Sequence, residues 1–199
     1  MRVFVLSTGR CGSTTFAQAC KHINNFSSGH ETRARLKGFE RLNYPDNHIE
    51  SDNRLSWMLG RLEERFGDDA YYVHLTRDPA RVAESYNRRW KKKASIVKAY
   101  RNGIHMNPKE PDSIEWIMEF IDTVTKNIEH FISDKSQVMR IRMEDANEQF
   151  PKFLEWIGAE GDLDAAVDEW TVRHNLGKKN RLIDTIRHKA KWPYTNRRS

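Results

Sequence analysis

Ten residues near the start of the chain carry the densest set of groups that could do chemistry. Leu6-Ser7-Thr8-Gly9-Arg10-Cys11-Gly12-Ser13-Thr14-Thr15 combines two glycines, a permanent cation and three consecutive hydroxyls. Glycine permits a tight turn and close approach of backbone to a ligand. A helix start behind it offers free N–H groups and the positive end of the helix dipole. That pattern suits an anion such as a phosphate or sulfate, with Ser13, Thr14, Thr15 and Arg10 adding side-chain donors. A nucleoside triphosphatase loop reads G-x-x-x-x-G-K-[ST]. Here Ser13 stands in place of the lysine and Ser7 in place of the first glycine, which disfavours magnesium-dependent ATP chemistry. A cysteine phosphatase loop places an arginine six positions after its cysteine, and six positions after Cys11 stands Ala17, so that chemistry is excluded. The plain alternative is a strand–helix turn that uses Gly and Ser for local reasons.

A second group of donors lies in Val73-His74-Leu75-Thr76-Arg77-Asp78-Pro79-Ala80-Arg81-Val82-Ala83-Glu84-Ser85. Arg77 closes an apolar run. Arg81, Ser85 and Arg88 or Arg89 follow at helical spacing and are expected on one face. An arginine fork beside a hydroxyl suits a phosphate dianion. The plain alternative is an exposed basic helix face.

Both groups need a scaffold that gathers strand ends. Arg2–Leu6 reads as a short buried strand, and a helix is expected from Ser13 to about His22. Short strands are expected over 25–30 and His48–Ser51. Leu55, Met58, Leu59 and Leu62 recur at helical spacing, which predicts a helix over Asp52–Phe66. Tyr71–Thr76 is a strand rich in aromatic residues. Asp78-Pro79 then supplies a cap and a first-turn proline for a helix to about Lys93. Helices over 113–133, 147–157 and 163–170 and a strand over Val138–Met143 complete the pattern. Strands alternating with helices predict an α/β fold, a three-layer α/β/α arrangement with a mostly parallel central sheet. The whole of 1–199 is expected to form one domain. In such folds ligands sit at the carboxyl ends of the strands, where both groups fall.

Together the two motifs resemble those of the PAPS-dependent sulfotransferases (PAPS is 3′-phosphoadenosine-5′-phosphosulfate). In that family a [KR]-x-G-[ST]-[ST] loop after the first strand holds the 5′-phosphosulfate, and Arg10-Cys11-Gly12-Ser13-Thr14 matches it. An R-[DN]-P segment with a serine further on holds the 3′-phosphate, and Arg77-Asp78-Pro79 through Ser85 matches that with the same spacing. The resemblance covers about residues 1–90. It implies a P-loop-like sulfotransferase architecture and PAPS as donor, with 3′-phosphoadenosine-5′-phosphate as product. The reaction implied is in-line sulfuryl transfer to a hydroxyl or amine with a general base and no metal. It assigns Arg10, Cys11, Gly12, Ser13, Thr14 and Thr15 to the 5′ end, and Arg77 and Ser85 to the 3′-phosphate. Arg10 also falls where the leaving phosphate would be stabilised. A late Gly/Lys-rich loop closes over the nucleotide in some members. Leu176–Arg181 is similar in composition and would bring Lys178 and Lys179 to the nucleotide, although it lacks the full R-x-G-x-x-G pattern.

Related enzymes take their base, a His or a Glu, from after the second or third strand. The candidates here are His30 and Glu31, then His48 and Glu50. Glu31 is favoured by analogy with carbohydrate-type members, while His30 is of the residue type better suited to proton transfer near neutral pH. Arg33, Arg35 and Lys37 follow closely and suit an acidic or polyhydroxylated acceptor, or simply solvent.

The charge balance adds a second theme. The net charge is +6, yet residues 171–199 hold nine basic side chains against Asp184 alone. A basic C-terminal segment on a near-neutral body suggests an anionic partner or a solvated end. No apolar run approaches the roughly 20 residues of a membrane span, so no membrane partner and a cytoplasmic location are expected. Cys11 and Cys20 make neither a disulfide framework nor a zinc site. The expected partner is a small-molecule or carbohydrate acceptor, with nucleic acid disfavoured. The rival readings are a P-loop-type kinase-like transferase and a non-catalytic module that binds anions or nucleic acid.

Overall fold

The computed structural model describes residues 1–90 and 95–171. Five strands, β1 (Arg2–Leu6), β2 (Ser27–His30), β3 (His48–Ser51), β4 (Tyr71–Thr76) and β5 (Val138–Arg142), form one sheet in the order β2-β3-β1-β4-β5. Every pairing is parallel. Strand β1 is central, with Val3 opposite Ile49 on one side and Tyr71 on the other. Val3, Phe4, Val5 and Leu6 are fully buried, as a strand covered on both faces requires.

The described residues divide into two compact units, one of 1–77 with 122–171, the other of 78–121 without 91–94. The first contains the whole sheet. Its helices are α1 (Ser13–Ala19), α2 (Leu59–Phe66), the second half of α5 (Ile114–Ile132), α6 (Ala146–Trp156) and α7 (Leu163–Asp168). Parallel strands joined by right-handed crossovers put α1 on one face and α2 and α5 on the other. The packing agrees. Phe16 of α1 lies edge-on to Phe150 and Phe153 of α6 at 5.2 and 4.9 Å. Opposite, Phe4 meets Phe66 of α2 at 4.8 Å, and Tyr72 meets Phe131 of α5 at 5.0 Å. The second unit holds α3 (Pro79–Asn87), α4 (Ile96–Ala99) and the start of α5. Tyr86, Tyr100 and Phe120 form its aromatic core, and a buried Arg101 reaches Asp112 at 3.0 Å.

The strands follow the sequence reading closely. The helix expected over Asp52–Phe66 is instead broken. The Asp52 side chain caps a single 3-10 turn over Asn53–Trp57, and Met58 leaves helical geometry at φ −129° before α2 begins. The helix expected to Lys93 ends at Asn87, and residues 91–93 lie outside the described ones. Lys178, Lys179 and all but the first residue of the basic C-terminal segment also lie outside them. Among the described residues, no helix is long and apolar enough to cross a membrane.

Candidate functional site

The turn after β1 adopts the left-handed geometry that its glycines foreshadow. Gly9 has φ 79° and Gly12, the residue before α1, has φ 95°. Arg10 between them is also left-handed at φ 63°, a conformation uncommon for a residue with a side chain. Such outliers gather where surrounding structure over-determines them, often at ligand sites. Three of the four residues from Gly9 to Gly12 are thus left-handed, a sharp bend that leads the chain from β1 into α1. The loop is braced from within. The Ser7 hydroxyl accepts from the Gly9 amide at 3.1 Å, and the Ser56 hydroxyl donates to the Ser7 carbonyl at 3.2 Å.

Cys11 belongs to this bracing. Its side chain is 2% exposed, and its thiol donates to the Gly9 carbonyl at 3.3 Å beside the Thr8 hydroxyl. Burial pushes the thiol up to about 11, against the opposing effect of the Thr8 hydrogen bond and Arg77. A thiol held neutral in this way is no nucleophile. Cys11 therefore has its backbone to offer an anion, whereas Ser13, Thr14 and Thr15 on the first turn of α1 retain partly or fully exposed side chains.

The second motif reaches the first. The Arg77 guanidinium, just beyond β4, donates to the Arg10 carbonyl at 3.2 Å across 67 positions of sequence. Asp78 caps α3 by accepting from the Arg81 amide at 3.1 Å, with Pro79 in the first turn. Within the second unit, Ser85 is buried at 5% exposure on α3, while Arg81 is exposed and Arg88 is bound to Glu84 at 2.7 Å. The expected common face of Arg81, Ser85 and Arg88 is thus divided between interior and solvent.

Beyond β2 the candidate bases separate. His30 presents Nε2 to the Ser13 hydroxyl at 3.1 Å and to the Thr14 hydroxyl at 3.4 Å. Glu31, left-handed at φ 54°, is joined to the Arg54 guanidinium at 2.5 Å. His48 and Glu50 are buried and bound to each other at 3.0 Å. The Glu50 carboxylate also accepts from the Thr32 amide at 2.7 Å and its hydroxyl at 2.6 Å, and His48 Nδ1 meets the Ser27 hydroxyl at 2.8 Å. Gly29 leaves room for this network. A methyl group there would lie 2.3 Å from Thr32 Cγ2 and 2.7 Å from Glu50 Oε2.

The sequence reading did not single out Arg54. Its backbone is held by Asp52, which accepts from the Arg54 amide at 2.8 Å and binds the buried Arg41 at 2.5 Å. Burial raises the Asp52 carboxyl above its ordinary value, opposed by the Arg54 amide and the Arg41 charge. The usable signal was position. Arg54 follows the carboxyl end of β3 as Arg77 follows that of β4. Among the described residues, no cluster of His, Cys, Asp and Glu could hold a metal ion.

No protein-family model and no curated protein matches this sequence. The structure, in contrast, is similar to a solved sulfotransferase domain from the curacin biosynthetic pathway, with a TM-score of 0.58 and 14% sequence identity. The match covers 94% of this chain and 96% of that one. The chain has the fold of a sulfotransferase domain, here a parallel five-stranded sheet with helices on both sides.

Proposed function

We propose that this protein binds PAPS and transfers its sulfuryl group to a hydroxyl or amine of a small-molecule or carbohydrate acceptor. The observation that carries the reading is the hydrogen bond from Arg77 to the Arg10 carbonyl. It joins the two motifs that the resemblance assigns to opposite ends of one nucleotide. The left-handed turn at Gly9, Arg10 and Gly12 supports a role for the loop amides and for Ser13, Thr14 and Thr15 around the 5′-phosphosulfate. Arg77 and Ser85 are proposed for the 3′-phosphate on the strength of the motif.

In this reading the acceptor oxygen or nitrogen bonds to sulfur as the bond from sulfur to the bridging phosphate oxygen breaks. Arg10 and the loop amides stabilise the charge that accumulates on the departing phosphate. His30 takes the acceptor proton. Its assignment is supported by the contact of Nε2 with Ser13 and Thr14, on the turn that would hold the reacting group. Glu31 becomes the anchor of Arg54. Incubating the protein with labelled PAPS and a panel of hydroxyl and amine acceptors tests this reading. Label should pass to at least one acceptor, and Arg10→Ala should lower the rate by on the order of 10²-fold or more. Failure of label to reach any acceptor, with PAPS left intact, counts against transferase activity.

A further inference from the structure

The excursion between β2 and β3 carries a surface that the proposed chemistry does not use. Leu36 is 45% exposed and Phe39 is 65% exposed. Single exposed apolar residues need no explanation, but these stand three positions apart, Phe39 in the 3-10 turn Gly38–Leu42 and Leu36 just before it. Four cations accompany them, Arg35, Lys37, Arg61 and Arg65, and none has an acid partner among the described residues. Two of these cations are built into the loop. Arg65 of α2 lies 4.1 Å from the centre of the Phe39 ring, and Arg61 donates to the Gly38 carbonyl at 2.6 Å. Of the neighbouring acids, Glu40 is engaged by Arg33 and Glu63 by Lys135, which leaves Glu64 alone against the four cations.

We propose that this loop and the adjoining face of α2 form an interfacial anchor for an anionic lipid bilayer. Bare apolar side chains ringed by Arg and Lys fit the boundary between acyl chains and charged headgroups. Each cation near such a surface strengthens binding by roughly fivefold. A protein partner would ask for a contact of about 800 Å² on each side, whereas a bilayer asks only for an apolar tip and positive charge. The expectation of no membrane partner rests on the lack of a membrane-spanning apolar run. An interfacial loop leaves no long apolar run, so the two findings concern different properties.

The test is co-sedimentation of the full-length protein with phosphatidylcholine vesicles, with and without phosphatidylserine. The wild type should pellet with the anionic vesicles and not with the neutral ones. Leu36→Ser/Phe39→Ser and Arg35→Glu/Lys37→Glu should each weaken binding about tenfold or more. Calorimetric affinity for 3′-phosphoadenosine-5′-phosphate should be unchanged in both variants, which separates this surface from the nucleotide site. Three results would overturn the proposal. The wild type does not pellet; the variants pellet like wild type, so that the basic C-terminal segment carries the binding; or poly-glutamate binds through these residues while vesicles do not, which marks the surface for an acidic protein.

Discussion

Replacing Glu50 with alanine removes three hydrogen bonds from one buried carboxylate. Glu50 is fully buried and accepts from the Thr32 amide at 2.7 Å, the Thr32 hydroxyl at 2.6 Å and His48 Nε2 at 3.0 Å. A hydrogen bond to a charged group contributes about 1.5–3 kcal/mol, and buried donors left without acceptors carry their own desolvation cost. The three bonds share one group, and water entering the vacated space would recover part of the loss. The expected destabilisation is therefore about 3–5 kcal/mol, a large fraction of a typical domain's 5–15 kcal/mol. Glu50→Gln keeps the shape and can still accept from Thr32 while its amide donates to His48, so its expected cost is about 1–2 kcal/mol. Urea unfolding followed by tryptophan fluorescence measures both, with an unchanged slope as the check that only stability has moved. A loss below about 1 kcal/mol for Glu50→Ala, within the range of ordinary surface changes, would refute the argument that this carboxylate ties the ends of β2 and β3 together. Lost turnover at unchanged stability and nucleotide affinity would instead make Glu50 a reacting group.

Two further outcomes follow from the same geometry. His30→Asn should lower kcat by about 10²–10⁴-fold at nearly unchanged nucleotide affinity, while Glu31→Gln should keep more than about a tenth of wild-type kcat; the reverse ranking would return the base to Glu31. Glu129 of α5 is bound by His74 at 2.5 Å and Arg140 at 2.7 Å, and the His74 hydrogen bond, with Arg140, lowers its carboxyl to about 2 despite partial burial. A depressed carboxylate stabilises the fold above its unfolded pKa, so this contribution should fade as pH falls from about 4.5 toward 2. After allowance for solvent screening of a half-exposed group it amounts to about 1 kcal/mol. Glu129→Gln should flatten that limb of the stability curve, as read by thermal unfolding against pH.

What could be read from the sequence was what is written locally. Tyr71–Thr76 declares itself as a strand through its apolar and aromatic residues, and Asp78-Pro79 as a helix start through capping chemistry. The left-handed turn was legible at Gly9 and Gly12, because glycine advertises positive φ, but not at Arg10, whose conformation is imposed by its surroundings. Long-range pairing was not legible. Nothing local to His48 and Glu50 distinguishes a saturated buried pair from a catalytic one until Thr32 and Ser27 are seen to occupy them. The broken helix after β3 had the same cause. Apolar spacing over 55–62 favoured one helix, but the Asp52 carboxylate caps its own turn and binds Arg41, which fixes the chain before α2 starts.

In the proposed function one nucleotide, bearing phosphates at both its 5′ and 3′ ends, engages both motifs. Calorimetric titration with 3′-phosphoadenosine-5′-phosphate and with adenosine 5′-phosphate, on wild type and Arg77→Met, tests it most directly. The bisphosphate should bind wild type at least tenfold more tightly, a difference of about 1.4 kcal/mol or more, and Arg77→Met should remove most of that advantage. Equal affinities in the wild type, or tighter binding of ATP with magnesium than of the bisphosphate, would contradict the account.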